Sequence, residues 1–266
     1  MTQPIYTPDN CHPAYQLRWS LALFAEAELP PVANWLDPLK AAVERDGVRL
    51  LEHHFKPPNV RFFLLSTQPA VAPPEIVKSV KGRLQHAVRD HAPRAFRRNF
   101  FLTSVGDARR DVVENYVAEQ LGHHRMADER VQQALAEFQL SFPHVDLAMP
   151  ERSAHGEYVY NLHLVLVNQG RWCEIRPDRL AATRDMILAS AGKKGHRLSR
   201  VSLFADHLHI TLGCPYDQAP QELALGYLNN LAYANGMTDV FAFGYYVGTF
   251  GEYDMGAIWG ARSLPP

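Results

Sequence analysis

The stretch FADHLHITLG, residues 204–213, alternates polar and apolar side chains one by one. That period of two belongs to a β-strand with one face packed on a core. His207, His209 and Thr211 share one face, and Leu208, Ile210 and Leu212 share the other. Two imidazoles so placed leave the sheet side by side and can share one divalent cation if a third ligand is supplied. On its own the His-x-His pattern is also what two incidental surface histidines would give.

Working outward, the strand belongs to a segment that reads twice. In the C-terminal half, Tyr158–Val167 alternates as a strand and Arg179–Ala191 reads as a helix. Residues 197–212 supply a strand pair, Pro220–Asn235 a second helix and Phe241–Thr249 a last strand. The N-terminal half has the same order: a strand at Tyr15–Phe24, a helix through Trp35, Leu39 and Val43, and a strand pair over Val48–Leu65. A helix from Pro74 to His91, a strand at Asn99–Ser104 and a helix over Ala108–Leu121 follow. Asn59-Val60-Arg61 aligns with His207-Leu208-His209, Pro74-Glu75-Ile76 with Gln221-Glu222-Leu223, and Val105-Gly106-Asp107 with Phe250-Gly251-Glu252. The expected fold class is α+β: two ferredoxin-like β-α-β-β-α-β units, 1–121 and 157–266. They are joined by a linker, 122–156, with a helix-like stretch at Ala127–Phe138.

The 266 residues are 47% hydrophobic and 21% charged, a globular balance with room for two units. No run is long and apolar enough for a membrane span, and the N-terminus has no secretory pattern, so a cytoplasmic location is expected. Cys11, Cys173 and Cys214 match no zinc or disulfide framework and read as free thiols. Net charge is −1, yet Lys78, Lys81, Arg83, Arg89, Arg94, Arg97, Arg98, Arg109 and Arg110 fall in one stretch against only Asp90 and Asp107. Such a patch can bind phosphates in a neutral chain.

The last helix of the first half carries Val113, Tyr116, Val117 and Gln120 as one stripe, with Asp107 as expected N-cap and Gly122 as expected stop. A core stripe would end on an apolar residue, and Gln120 departs from that.

These features together resemble the single-tyrosine HUH transposases, the insertion-sequence and REP-associated enzymes. FADHLHITLG resembles their His-hydrophobic-His strand, and PPEIVKSVKGRLQHAV (73–88) the helix that follows it. NFFLTSVGDARRDVVENYVAEQ (99–120) resembles their strand, Val-Gly turn and tyrosine helix, and YYVGTFGE (245–252) repeats the strand and turn. The resemblance implies a nucleophile at Tyr116 and metal ligands at His207, His209 and Gln120. It also implies Mg²⁺ or Mn²⁺ as cofactor and single-stranded or hairpin DNA as partner. A phenol attacks poorly at neutral pH unless a cation or base helps it, which a metal beside the scissile phosphate would do. The product would be a 5′-phosphotyrosine and a 3′-hydroxyl.

In that family two subunits form their sites in trans. Here the first half reads Asn59-Val60-Arg61 where histidines are expected, and the second puts Ala261 and Pro265 at the tyrosine and glutamine positions. The resemblance therefore implies a monomeric pseudo-dimer with one composite nicking and strand-transfer site. Arg61, Lys78, Lys81, Arg83, Arg97 and Arg98 are the expected DNA contacts. Two other readings stay open: a transposase-derived hairpin-binding protein that does not cut, and a two-histidine phosphoesterase. The latter rests on His209-Ile-Thr211-Leu, but residues 59–67 offer no second histidine and His163-Leu-Val-Leu lacks the hydroxyl. His53-His54, His123-His124 and His163 read as surface or interface histidines.

Overall fold

The first expected strand is two strands serving two sheets. In the computed structural model, which describes residues 3–123, 128–236 and 238–252, it divides at the buried Leu17. In chain order the elements are β1 (His12–Gln16), β2 (Arg18–Ala25), α1 (Leu36–Glu44), β3 (Val48–Lys56), β4 (Val60–Thr67), α2 (Pro73–Val88) and β5 (Phe96–Val105). Next come α3 (Arg110–His123), α4 (Glu129–Ala136), β6 (Gln139–Ser141), β7 (Glu151–Arg152), β8 (Glu157–Val159) and β9 (Asn161–Val167). Last are α5 (Pro177–Lys194), β10 (Arg197–Leu203), β11 (His207–Gly213), α6 (Pro220–Ala234) and β12 (Gly244–Phe250). The architecture is α+β, with the strands in two six-stranded sheets ordered β3-β4-β2-β5-β8-β7 and β1-β12-β9-β11-β10-β6. Among the described residues no helix is long and apolar enough to cross a membrane.

Each sheet borrows a strand across the other's sequence. β1 lies parallel to β12, with Gln16 opposite Gly248, while β2 runs on between β4 and β5. Likewise β8 lies parallel to β5, with Thr103 opposite Val159, and the chain passes through Tyr160 into β9 between β11 and β12. The same bonds recur at both crossings. Leu17 O accepts from Thr67 N–H, and Tyr160 O from Cys214 N–H. Arg18 N–H donates to Thr249 Oγ1 at 2.7 Å, and Asn161 N–H to Ser104 Oγ at 3.0 Å. In return Thr249 Oγ1 donates to Val105 O and Ser104 Oγ to Phe250 O, both at 2.7 Å. Small hydroxyl residues fit there because one oxygen must accept and donate in a buried crossing of four strands.

Helices cover the outer faces of both sheets. α2 and α6 open alike: Glu75 accepts from Ala72 N–H at 3.1 Å and Glu222 from Ala219 N–H at 3.3 Å, satisfying a donor the helix leaves unpaired. The apolar core is continuous between the sheets, with Trp19 against Tyr160 (5.1 Å between ring centres) and Tyr216 between Phe100 and Tyr158. The expected linker is partly structured: β6 extends the second sheet beside β10 and β7 pairs with β8.

Beneath α1, the His53 ring packs on Trp35 and Phe63 at 5.0 and 5.1 Å. Burial, with the charges of Arg61 and His54 adding to it, holds this imidazole down to about 4. The unfolded chain takes up a proton near pH 6.5 that folded His53 refuses until about 4. His53 therefore makes stability complete above pH 6.5 and lets it fall by up to about 1.4 kcal/mol per pH unit below that. Urea midpoints at pH 7 and pH 5 check this. The drop should shrink in His53→Phe, and an equally steep drop in that variant would remove His53 as its source.

Candidate functional site

β11 keeps the alternation read from its sequence. Leu208, Ile210 and Leu212 enter the core, and His207, His209 and Thr211 line the opposite face. That face is covered by α3, which precedes the second sheet's central strands by many residues. Ser202 Oγ donates to Val117 O at 2.9 Å, and the Ser199 hydroxyl meets the buried Glu114 carboxylate. Arg110 spans Glu114 and Glu252, and its N–H donates to Gly251 O at 2.7 Å. The polar residues Glu114 and Gln120 are buried on α3 because they face a polar sheet surface rather than an apolar core.

Neither helix-end expectation holds. Asp107 does not cap α3, which begins at Arg110; its carboxylate binds Arg18 and Gln16 instead. Gly122 does not stop the helix, which continues to His123.

Tyr116 stands on the exposed flank of α3, 52% accessible, with its ring 6.1 Å from that of His209 and steeply inclined to it. The rings of His207 and His209 are 5.1 Å apart. One turn beyond Tyr116, Gln120 is 2% exposed, and its Oε1 has no hydrogen-bond partner among the described residues. A buried amide oxygen left unpaired costs about 1–3 kcal/mol, so this position fits a cation better than a packing role. Thr211 Oγ1 is a second such orphan on the same face.

The sequence missed two residues that orient the histidines. His207 Nδ1 meets Asp206 Oδ1 at 2.6 Å, and Asp206 is also 3.3 Å from Arg171. Burial raises the Asp206 carboxyl, but the His207 hydrogen bond and the Arg171 charge outweigh it and hold the group below its ordinary value. An ionised Asp206 accepts the Nδ1 proton and places the imidazole lone pair on Nε2. His209 Nδ1 meets His163 Nε2 at 2.9 Å, their rings nearly stacked. Burial pushes His163 down to about 4, keeping it neutral and able to accept that proton. Of the two readings of His163, surface or interface, the half-buried position against His209 rules out the first. Its signal was the register that sets it opposite Thr211, which is visible only when strands are paired. Among the described residues no three His, Cys, Asp or Glu side chains assemble as a metal cage.

The first sheet lacks the counterpart. Arg18 faces Ser66 and Asn161 faces Gly213, so equivalent registers put Val60 and Phe62 where His207 and His209 stand. The expected match to Asn59 and Arg61 is one residue out. Arg61 points instead to the helix side, 8% exposed, over Phe55 and Trp35. Ala261 and Pro265 lie outside the described residues.

The other expected DNA contacts divide. Lys78, Arg97 and Arg98 are exposed. Lys81 donates to Arg98 O at 2.7 Å, and Arg83 pairs with Asp46 at 2.5 Å. Arg45, Lys78, Arg83 and His86 line a groove of about 1060 Å³ between α1 and α2, remote from the histidines.

No curated protein matches the chain. Among solved structures, a candidate glycine cleavage system transcriptional repressor aligns over 89% of this chain and 98% of its own at 9% identity, with a TM-score of 0.24. An unknown protein from Galdieria sulphuraria aligns over 88% and 97% at 10% identity, with a TM-score of 0.20. Neither score carries an argument about fold. The family model described as "Transposase IS200 like" matches residues 35–120, a span that includes Tyr116 and Gln120 and stops short of His207 and His209. Residues 35–120, about a third of the chain, are thus similar to the IS200-like transposases.

Proposed function

We propose that the protein nicks and rejoins single-stranded DNA through Tyr116, at one composite site of a fused pseudo-dimer. The units are two ferredoxin-like folds, 1–121 and 157–266, in which the first contributes the tyrosine helix and the second the histidine strand. The observation that carries this reading is the seating of α3 on β10 and β11, which sets Tyr116 6.1 Å from His209. The repeated hydrogen bonds around Ser104 and Thr249 support descent from a symmetric pair.

Tyr116 Oη would attack the scissile phosphorus while the bond to the 3′-oxygen breaks. The phenolic proton is lost to solvent, the departing 3′-oxygen gains one, and the strand's 5′-phosphate stays on the tyrosine. Attack by a 3′-hydroxyl reverses the step without ATP. His207, His209 and Gln120 fit the ligand set of Mg²⁺ or Mn²⁺, which when bound would draw charge from the phosphate being cut. Asp206 and His163 hold the two ligand imidazoles in their working tautomer, and the half-exposed position of Tyr116 leaves a strand access to its hydroxyl. Lys78, Arg97 and Arg98, exposed and without a carboxylate partner among the described residues, are available to phosphates. A helix-side Arg61 takes no part in this site.

The test is covalent capture: wild type with a hairpin-flanked single strand and Mn²⁺ should give a denaturation-resistant adduct. If no adduct forms with any divalent metal while the hairpin still binds, the non-cutting, hairpin-binding reading replaces this one. A subtler expectation concerns Asp206→Asn, which keeps shape but removes the acceptor charge. Mn²⁺ affinity should fall about 10–100-fold, as measured by titration, with the circular dichroism unchanged. Unaltered Mn²⁺ binding would mean that Asp206 does not act through His207.

A further inference from the structure

Arg61 is a buried cation with no anion. Among the described residues no carboxylate lies within 4 Å of it, and its only polar contact is His53 Nε2, 3.3 Å from Nη1. Its Nε is buried without a hydrogen-bond partner. The guanidinium lies over Phe55 at 4.5 Å and Trp35 at 5.7 Å, and these faces offset only part of its lost hydration. His53 is held neutral and supplies no charge. Burial also depresses the Arg61 guanidinium, as expected where nothing stabilises the cation.

This side chain lines a cavity of about 660 Å³ on the helix side of the first sheet, away from the histidine face. Arg97, exposed and likewise without a carboxylate within 4 Å, lines it too, as do Phe55 and Asn59. A planar fork with unused donors, lining the same cavity as a second guanidinium, is the chemistry that takes a phosphate. We propose that Arg61 and Arg97 form a phosphate-binding site in this cavity, distinct from the Tyr116 centre. The exposed Glu26 and Glu28, which also line the cavity, would repel a long polyanion lying across it. They favour a single terminal phosphate, free or at the 5′ end of a strand, over a continuous backbone.

The experiment uses the full chain and two probes, inorganic phosphate and octathymidylate with or without a 5′-phosphate. Inorganic phosphate should shift the Arg61 Nε–H resonance in ¹⁵N spectra. The 5′-phosphorylated strand should bind at least tenfold tighter than the unphosphorylated one in anisotropy. Arg61→Met, which keeps an apolar stem over Phe55, should erase the 5′ preference, and Arg97→Gln, a surface change with little bearing on folding, should weaken both effects. A shift with inorganic phosphate but no 5′-phosphate preference also supports the site and makes free phosphate its ligand. No shift with phosphate, or a 5′ preference that survives in both variants, overturns it and leaves Arg61 as a packing cation over two rings. Loss of adduct formation in Tyr116→Phe leaves every one of these readouts in place, so the two readings fail separately.

Discussion

Tyr116→Phe is expected to abolish covalent capture of the cut strand while leaving hairpin binding and thermal stability close to wild type. Its ring is half exposed on α3, so removing one hydroxyl opens no cavity and breaks no buried bond to the described residues. Surface changes of that kind usually stay within about 0.5 kcal/mol. On the proposed mechanism the chemistry loses its nucleophile. Adduct formation should fall by on the order of 10³-fold or more, as for other enzymes stripped of a nucleophile. Gln120→Leu gives a contrasting outcome. It fills a buried position with an apolar side chain and removes the orphaned oxygen, so it should raise stability slightly while weakening Mn²⁺ binding. Were Tyr116→Phe still to yield an adduct, another residue would be the nucleophile and the composite site would be wrong.

What could be read beforehand follows from the range of the forces involved. The alternation around His207 is a local period of two, and it placed both imidazoles on one face before any pairing was known. The repeated Val105-Gly106 and Phe250-Gly251 turns were visible as a pattern, although their cause, two backbones in contact, was not. Leu17 carries no local mark that the strand changes partners there, since both of its neighbours continue the strand. Asp107 looked like a cap because it precedes a helix, but the charge of Arg18, far off in sequence, decides its contacts. Arg61 shows how sharp the limit is. A sequence alignment one residue out carries a side chain through the sheet, from the histidine face to the helix side. His163 and Asp206 could not be ranked above the other polar residues until β9 lay beside β11.

Among the described glycines, Gly251→Ala is expected to be the most damaging change to alanine. Neither Gly251 nor Gly106 has a positive φ, so backbone freedom does not explain them. A Cβ on Gly251 would overlap the carbonyl oxygen of Ser104, and one on Gly106 would lie 2.8 Å from Thr249 O and 3.0 Å from Ala108 O. Backbone cannot swing aside as a flexible side chain would. The methyl must therefore push β12 from β5 and stretch the Ser104–Phe250 and Arg110–Gly251 hydrogen bonds. Overpacking together with those losses should cost roughly 2–4 kcal/mol, a melting temperature lower by about 4–15 °C. Activity should suffer beyond the stability loss. Gly251 O receives the first N–H of α3, and if that helix carries the nucleophile as proposed, a shift of about 1 Å can cost on the order of 10²-fold. Gly82→Ala is the matched control: it sits inside α2 with nothing within 4 Å of an added Cβ, and should gain up to about 1 kcal/mol. If Gly251→Ala instead melted with wild type and formed adduct at the same rate, the close passage of the two sheets could not be what seats Tyr116 beside His209.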